Sequence, residues 1–212
     1  MSRIEVGFTW TRGPRYEPAT VKGTRVIRQI GKMRDPTYRP LETEMSNLHL
    51  RFAELDYSPE SFARFATAWG LLETSAADGA RESVEGWRRA VQQMKGAISM
   101  FALKDPEPGG ILRAGTPFGV RFKATKIDVL LLSAEDGARP TMVLQPPNLL
   151  SAIHLQLATA VAGGNSIRTC AECNRWFHTG IGDKVRRSVA IFCSEECKNR
   201  HHYKNKQRKD RA

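Results

Sequence analysis

The chain has 212 residues, of which 33 are Lys or Arg and 22 are Asp or Glu, so its net charge is +11 at pH 7. Its length suits one large domain or a medium domain with a small module, and 41% hydrophobic residues are typical of a folded protein. No apolar run reaches the roughly 18 residues that a membrane-spanning helix needs, so we expect no membrane partner. Residues 1–6 lack the apolar segment of a signal peptide, which predicts a cytoplasmic protein.

The first third of the chain predicts one strand, a loop-rich segment and one helix. Apolar residues alternate over residues 4–10, which predicts a strand. The segment to about Glu44 is rich in Pro, Gly and Arg and predicts turns and loops, with a short strand at residues 26–30. Ser58 and Pro59 are typical of a helix start. The apolar face of that helix comprises Phe62, Phe65, Trp69 and Leu72.

A second helix is predicted from Val84 to Phe101, because apolar residues recur there every three or four positions. His49 and His154 have no acid and nucleophile beside them in the pattern, so we interpret them as ordinary surface or core histidines. The residues that we expect in the core, rather than at a cofactor, are Trp69, Trp87, Met94 and Met100. Residues 1–164 therefore indicate no chemistry.

Three strands are predicted at residues 118–122, 127–132 and 141–145, and they predict a small antiparallel sheet. Pro146 and Pro147 end it. An amphipathic helix then follows from Leu149 and ends at Gly163.

The predicted fold class is α+β. A helical and small antiparallel-sheet N-terminal domain, residues 1–147, is followed by a connecting amphipathic helix at residues 148–166. A C-terminal module, residues 167–212, contains every cysteine of the chain.

The basic charge is concentrated in that last quarter. Residues 165–212 contain 12 Lys or Arg and 5 Asp or Glu, a net charge of +7, and residues 1–164 account for the remaining +4. A polyanionic partner would therefore bind the C-terminal module.

The four cysteines have the spacing of a metal site: Cys170 and Cys173 are separated by two residues, and Cys193 and Cys197 by three. Two close pairs can supply four thiolates to one tetrahedral Zn²⁺, and four cysteines in a short segment of a cytoplasmic protein favour metal over disulfides. Four protein ligands leave no open coordination position. The sequence thus predicts one structural Zn²⁺ per chain.

The residues around the cysteines predict a treble-clef zinc finger. Residues 175–178 are expected to leave the first cysteine pair as a strand, and residues 189–192 to return as a second one. Phe177 and Phe192 can cover the metal. Ser194 is placed to cap a helix that carries Cys197 in its first turn.

Residues 167–208 resemble the CGNR-type zinc finger of bacterial transcription regulators. The resemblance rests on the cysteine pairs, the aromatic-rich hairpin and the sequence Cys197-Lys198-Asn199-Arg200, where Lys198 stands at the family's glycine. It covers about a fifth of the chain, and it implies nucleic-acid binding for this module.

The basic helix after Cys197 and the basic hairpin before Cys193 predict a nucleic-acid interface, because Lys and Arg neutralise phosphates while Arg and Asn can read base edges. DNA is the favoured partner, and RNA remains an alternative because Trp176, Phe177 and Tyr203 offer rings for stacking. The predicted contact residues are Arg175, Lys184, Arg186, Arg187, Lys198, Asn199, Arg200, His202 and Lys204.

The favoured function is a DNA-binding transcription regulator whose N-terminal domain senses a signal or forms a homodimer. Two other classes stay open. One is a nuclease or toxin-like effector, in which His178, His201 and His202 would serve an open metal site. The other is a protein-interaction module whose basic helix binds an acidic partner.

Overall fold

The computed structural model describes residues 4–6, 8–31, 37–38, 47–77, 79–102, 128–132, 141–163, 165–179 and 189–209. The chain divides into two compact units. Unit 1 comprises Met1–Met94 and Arg121–Leu157, and unit 2 comprises Lys95–Val120 and Ala158–Ala212. The domain boundaries inferred from the sequence stay predictions.

The described residues form helices and small sheets, which confirms the α+β fold class. The helices are α1 (Leu48–Ala53), α2 (Pro59–Trp69), α3 (Val84–Phe101), α4 (Leu149–Ala162) and α5 (Glu195–Lys209). The strands are β1 (Ile4–Val6), β2 (Trp10–Thr11), β3 (Arg15–Val21), β4 (Thr24–Ile30), β5 (Thr37–Tyr38), β6 (Arg81–Ser83), β7 (Asp128–Leu132), β8 (Thr141–Gln145), β9 (Ser166–Thr169) and β10 (Trp176–Thr179). None of the helices in the described part of the chain has the length and apolar character of a bilayer-crossing segment.

The antiparallel pair predicted at residues 127–132 and 141–145 is confirmed as β7 and β8. In addition, β1 pairs with β8 in parallel, so this three-stranded sheet is mixed. The strand predicted at residues 118–122 lies outside the described residues. The single strand predicted over residues 4–10 is divided into β1 and β2, and β2 pairs with β5 in a separate ribbon.

The short strand predicted at residues 26–30 is confirmed within β4, but the loop-rich interpretation is wrong for the preceding residues 15–25. Residues 15–30 belong to one antiparallel pair. They form the β3–β4 hairpin, closed by Lys22 and Gly23, which both have positive φ as a two-residue hairpin turn requires. Pro18 does not break β3, because β3 is the edge of the β3-β4-β6 sheet and an edge strand tolerates a residue without an N–H.

The core of unit 1 is a cluster of aromatic rings around Trp87. Its indole lies 5.4 Å from the ring of Phe62, 5.9 Å from Phe65 and 6.2 Å from Phe52, measured between ring centroids. These side chains come from α1, α2 and α3, and all are buried. The core assignments of Trp87 and Met94 are confirmed, and Trp69 is partly buried.

The expectation that Met100 lies in the core is wrong, because it is 51% exposed. His49 and His154 are both buried. His49 Nδ1 lies 2.8 Å from Gln156 Oε1, which joins α1 to α4. These contacts fit the interpretation of His49 as a core histidine.

Side chains from β2, from the residue after it and from β5 bind carbonyl groups at and just beyond the end of α2. Trp10 Nε1 donates to Leu71 O over 3.0 Å, Arg12 Nη1 donates to Ala68 O over 2.9 Å, and the Tyr38 hydroxyl donates to Trp69 O. The last carbonyls of a helix have no partner within the helix. This ribbon therefore caps α2.

Gly70 is the residue that allows this approach. Its φ is +88°, and a Cβ there would lie 2.6 Å from Thr11 O. We predict that Gly70→Ala lowers the free energy of unfolding by about 2 kcal/mol or more, from left-handed strain and a backbone collision. Gly79→Ala is the matched control, because Gly79 has a φ of +78° with nothing within 4 Å of a Cβ. Urea unfolding would measure the free energy of unfolding of both variants. Equal decreases in the two variants would contradict a backbone collision at Gly70.

His154 makes stability depend on pH. Burial lowers its pKa from 6.5 to about 4, so the unfolded chain takes up a proton in a pH range where the folded chain does not. Stability contributed by neutral His154 is complete above about pH 6.5 and is lost as the pH falls towards about 4.

We predict that wild type loses about 1.4 kcal/mol more than His154→Gln between about pH 8 and pH 5.5. The comparison uses urea unfolding of both proteins at each pH, so titrations common to both cancel. Parallel pH profiles would contradict the prediction.

A four-cysteine candidate metal centre

The four cysteine sulfurs lie together in unit 2. All four Sγ atoms are within 4.8 Å of one another, and Cys193 Sγ lies 3.6 Å from the sulfurs of both Cys173 and Cys197. A tetrahedral ion with metal–sulfur bonds of about 2.3 Å separates its sulfurs by about 3.8 Å. A disulfide needs about 2.05 Å. The predicted ligands therefore form one group that could hold a metal ion.

A tight turn places the first cysteine pair. The Cys170 N–H donates to Arg175 O over 2.9 Å, and the Asn174 N–H donates to Cys170 O over 3.0 Å. Asn174 has a φ of +57°, a conformation that asparagine adopts more readily than most residues. The turn thus brings the Cys170 and Cys173 sulfurs onto one side of the backbone.

The beginning of α5 places the second pair, as predicted. Ser194 Oγ accepts the Cys197 N–H over 3.1 Å, which caps the helix. Cys193 directly precedes the cap residue, and its own N–H donates to Cys170 Sγ over 3.4 Å. The positive end of the helix dipole therefore lies beside the sulfurs, where it stabilises thiolates.

Apolar side chains cover part of the cluster. Phe177 and Phe192 are buried with Cys170 and Cys197, whereas Cys173 and Cys193 are partly buried. This confirms the two predicted covering residues. A cluster closed by four protein sulfurs and two phenyl rings leaves little room for a substrate.

The thiols differ in acidity. Burial raises the pKa of Cys173, but hydrogen bonds from Arg175 and the neighbouring thiols outweigh it and bring that pKa to about 6. Burial and the adjacent thiols raise the pKa of Cys193 instead. Several thiolates this close repel one another, so a bound cation is what would allow all of them to ionise.

The strands around the turn differ from the prediction. A strand does follow the first cysteine pair, over Trp176–Thr179. This strand, β10, pairs with β9, which precedes the cysteines, with Trp176 opposite Thr169 and Thr179 opposite Ser166. Residues 189–192 do not form the predicted return strand. They instead contact the turn through the Ala171 N–H, which donates to Ile191 O over 3.0 Å.

Glu172 connects the cysteine turn to α5. Its Oε1 lies 2.5 Å from Lys204 Nζ, and its Oε2 lies 3.5 Å from His201 Nδ1. Lys204 and His201 are one turn apart on the helix, so one carboxylate holds two successive turns. Their hydrogen bonds, Lys204 first, lower the pKa of the Glu172 carboxyl. Glu172 was not predicted from the sequence. The signal that could have identified it is an acidic residue between two cysteines of a module that also contains a basic helix.

The predicted nucleic-acid contacts fall into three groups. Asn199, Arg200 and His202 lie exposed on α5. The side chains of Lys198, Lys204 and Arg175 have protein partners: Lys198 pairs with Glu195 at 3.3 Å, Lys204 pairs with Glu172, and Arg175 hydrogen-bonds to Cys173. The predicted contacts that lie outside the described residues are Lys184, Arg186 and Arg187.

The histidines do not extend the metal centre. Among the described residues, the four-cysteine cluster is the sole group of three or more His, Cys, Asp or Glu side chains close enough to share an ion. His178 lies in β10, where burial lowers its pKa. His201 is directed to Glu172, and its ring centroid lies 5.2 Å from that of Phe192.

A cavity of about 260 Å³ in unit 1 is lined by ten residues, among them Glu82, Trp87 and Arg89. Its most buried acid already has a structural role, because the Glu82 carboxylate accepts the N–H groups of Leu72 and of the two residues after it. Burial raises the pKa of Glu82. These hydrogen bonds hold the loop after α2 in place. The position of Glu82 in the cavity is therefore explained by structure and indicates no reaction.

Comparison of the chain with protein-family models, curated proteins and solved structures gives no match.

We predict that the purified protein carries about one metal ion per chain and that Cys197→Ser or Cys170→Ser loses most of it, because three sulfurs bind far more weakly than four. Elemental analysis of gel-filtered protein measures the content. Glu196→Gln, an exposed change in the same helical turn, is the control and should keep the metal. Equal metal content in all four proteins would contradict the assignment.

Proposed function

We propose that the cysteine cluster holds one structural Zn²⁺ and that residues 167–212 are a zinc finger that binds nucleic acid, with DNA as the favoured target. In this proposal the chain is a transcription regulator of the CGNR-like type, and its N-terminal part senses a signal or forms a homodimer.

Zinc is favoured by the donor set. Four cysteine sulfurs within 4.8 Å of one another suit Zn²⁺, which prefers four sulfur or nitrogen ligands and forms closed structural sites. When bound, the ion would supply a cross-link between the turn at Cys170 and the start of α5. It would not supply a reactive water, since every position is taken.

The observation that carries the proposal is the exposure of α5. Its first turn is anchored by Cys197, yet every residue from Lys198 to Gln207 is exposed except His201. Residues 198–209 include six Lys or Arg and no acid. A rigidly held helix of this charge can lie along a phosphate backbone and direct amide side chains such as Asn199 towards bases.

The protein-interaction alternative has one observation in its favour. Val189 is 77% exposed and Ile191 is 46% exposed in the segment that precedes Cys193. Two exposed apolar side chains beside a basic helix would suit a partner with both apolar and acidic residues. The nuclease alternative gains no such support from the described histidines.

Binding to duplex DNA should depend steeply on salt. If four Lys or Arg residues each neutralise one phosphate, log K should fall against log salt with a slope of about −3.6. Arg200→Ala should weaken binding and reduce the slope by about 0.9, and Cys193→Ser should abolish specific binding by releasing the helix. Fluorescence anisotropy with a labelled duplex at four salt concentrations would measure this.

Arg64→Ala is the matched control, because Arg64 is an exposed arginine on a helix of unit 1. It should leave affinity and slope unchanged. Zinc-loaded wild type that binds duplex and single strands alike without salt dependence, or not at all, would overturn the nucleic-acid proposal. Co-purification with an acidic protein in that case would favour the interaction module.

A further inference from the structure

The module contains three aromatic side chains that the sequence offers for base stacking, and the structure separates them. Phe177 is only 7% exposed and packs with the buried cysteines. Trp176 is partly buried in β10. Tyr203, in contrast, is 65% exposed on α5. Of the three, Tyr203 is by far the most exposed.

Tyr203 lies on the side of α5 that faces away from the cysteine turn. Cys197, His201 and Lys204 mark the inner side, through the metal cluster and Glu172. One helical turn from Tyr203 lie Asn199 on one side and Lys206 on the other, and both are exposed. Within the described part of the chain, Tyr203 makes no stacking contact with another ring.

Tyr203 is the one aromatic side chain of α5, and most of its surface is open to solvent. Asn199 and Lys206, one turn from it, are an amide and a cation, and no acid lies between Cys197 and Lys209 in the sequence. This combination of positive charge and an exposed ring matches single-stranded nucleic acid, in which a phosphate backbone carries bases with accessible faces. In a duplex those faces are covered by the neighbouring base pairs, and a helix in the groove meets base edges instead.

We propose that Tyr203 stacks on an unpaired nucleobase and that α5 therefore prefers single-stranded segments of nucleic acid to duplex. This inference rests on the proposed function, since it names the form of nucleic acid that the zinc finger binds. In this arrangement Lys206 and the neighbouring cations bind the phosphates. Asn199, one helical turn from Tyr203, is placed to hydrogen-bond to the edge of a base. The phenol ring of Tyr203 supplies the stacking contact that distinguishes a base from the bare backbone.

The test separates the contribution of the bases to binding from that of the phosphates. Zinc-loaded full-length protein is titrated, by fluorescence anisotropy, with oligothymidylate of about 15 nucleotides, with an abasic strand of the same length, and with a duplex of the same length. The abasic strand has the same phosphates and no rings. Wild type should bind oligothymidylate about 5- to 150-fold more tightly than the abasic strand, the range measured for one stacked base.

Four variants locate the effect. Tyr203→Ala and Tyr203→Leu should bind oligothymidylate and the abasic strand about equally, because neither has a ring. Tyr203→Phe should keep the preference. Lys206→Ala should weaken binding to both strands by the same factor. Tyr57→Ala, an exposed tyrosine of unit 1, is the matched control and should match wild type.

Zinc content and circular dichroism check that each variant is folded. A preference for oligothymidylate that survives Tyr203→Ala, or wild type that binds duplex better than single strands, would overturn the inference and leave the nucleic-acid proposal standing. Wild type that binds none of the three ligands would overturn the proposed function itself. Oligodeoxyuridylate and oligouridylate carry the same base and differ only in the sugar, so titration with both shows whether DNA or RNA is preferred. Loss of binding to both in Tyr203→Ala supports stacking, and unchanged binding to both contradicts it.

Discussion

The meeting of four cysteine sulfurs is the contact on which the C-terminal module depends. The described part of the module offers few other reasons to fold: two four-residue strands, two buried phenylalanines and a helix with six cations after Cys197. An isolated helix of this length is marginal in water, and like charges one turn apart weaken it further. The cysteine cluster includes Cys197 and therefore fixes the first turn of α5. The rest of the helix can then stay exposed to solvent.

The features that were predictable from the sequence are those set by near neighbours in the chain. The spacing of Cys170 and Cys173, and of Cys193 and Cys197, identified the cluster because each pair lies within one turn of backbone. Ser194 was identified as a cap for the same reason. The helices α2, α3 and α4 were found because an apolar residue every three or four positions is itself a local pattern.

The features that were missed depend on residues far apart in the chain. The Pro and Gly content of the segment before Glu44 indicated loops, whereas β3 can contain Pro18 because it pairs only with β4 and lies at a sheet edge. The partner of β10 is β9 on the far side of the cysteine turn, and four residues around Ile167 carry too short a pattern to identify a strand. Glu172 was overlooked because its partner Lys204 is 32 positions away.

Glu172 also changes how the charge of the module should be counted. The sequence assigns a net +7 to residues 165–212 as if all the cations were equivalent. In the structure, Glu172 engages Lys204 on the inner side of α5, and Glu195 engages Lys198 in its first turn. Lys206 remains on the outer side, one turn from Tyr203. The Glu172–Lys204 pair holds the helix to the cysteine turn, so fewer cations are open to a polyanion than the net charge of the module suggests. Tyr203 lies exposed on the same helix. A helix that binds phosphates by charge alone would need no exposed ring. Contact with a base is therefore what distinguishes a helix that stacks on single strands from a helix that binds any polyanion by charge.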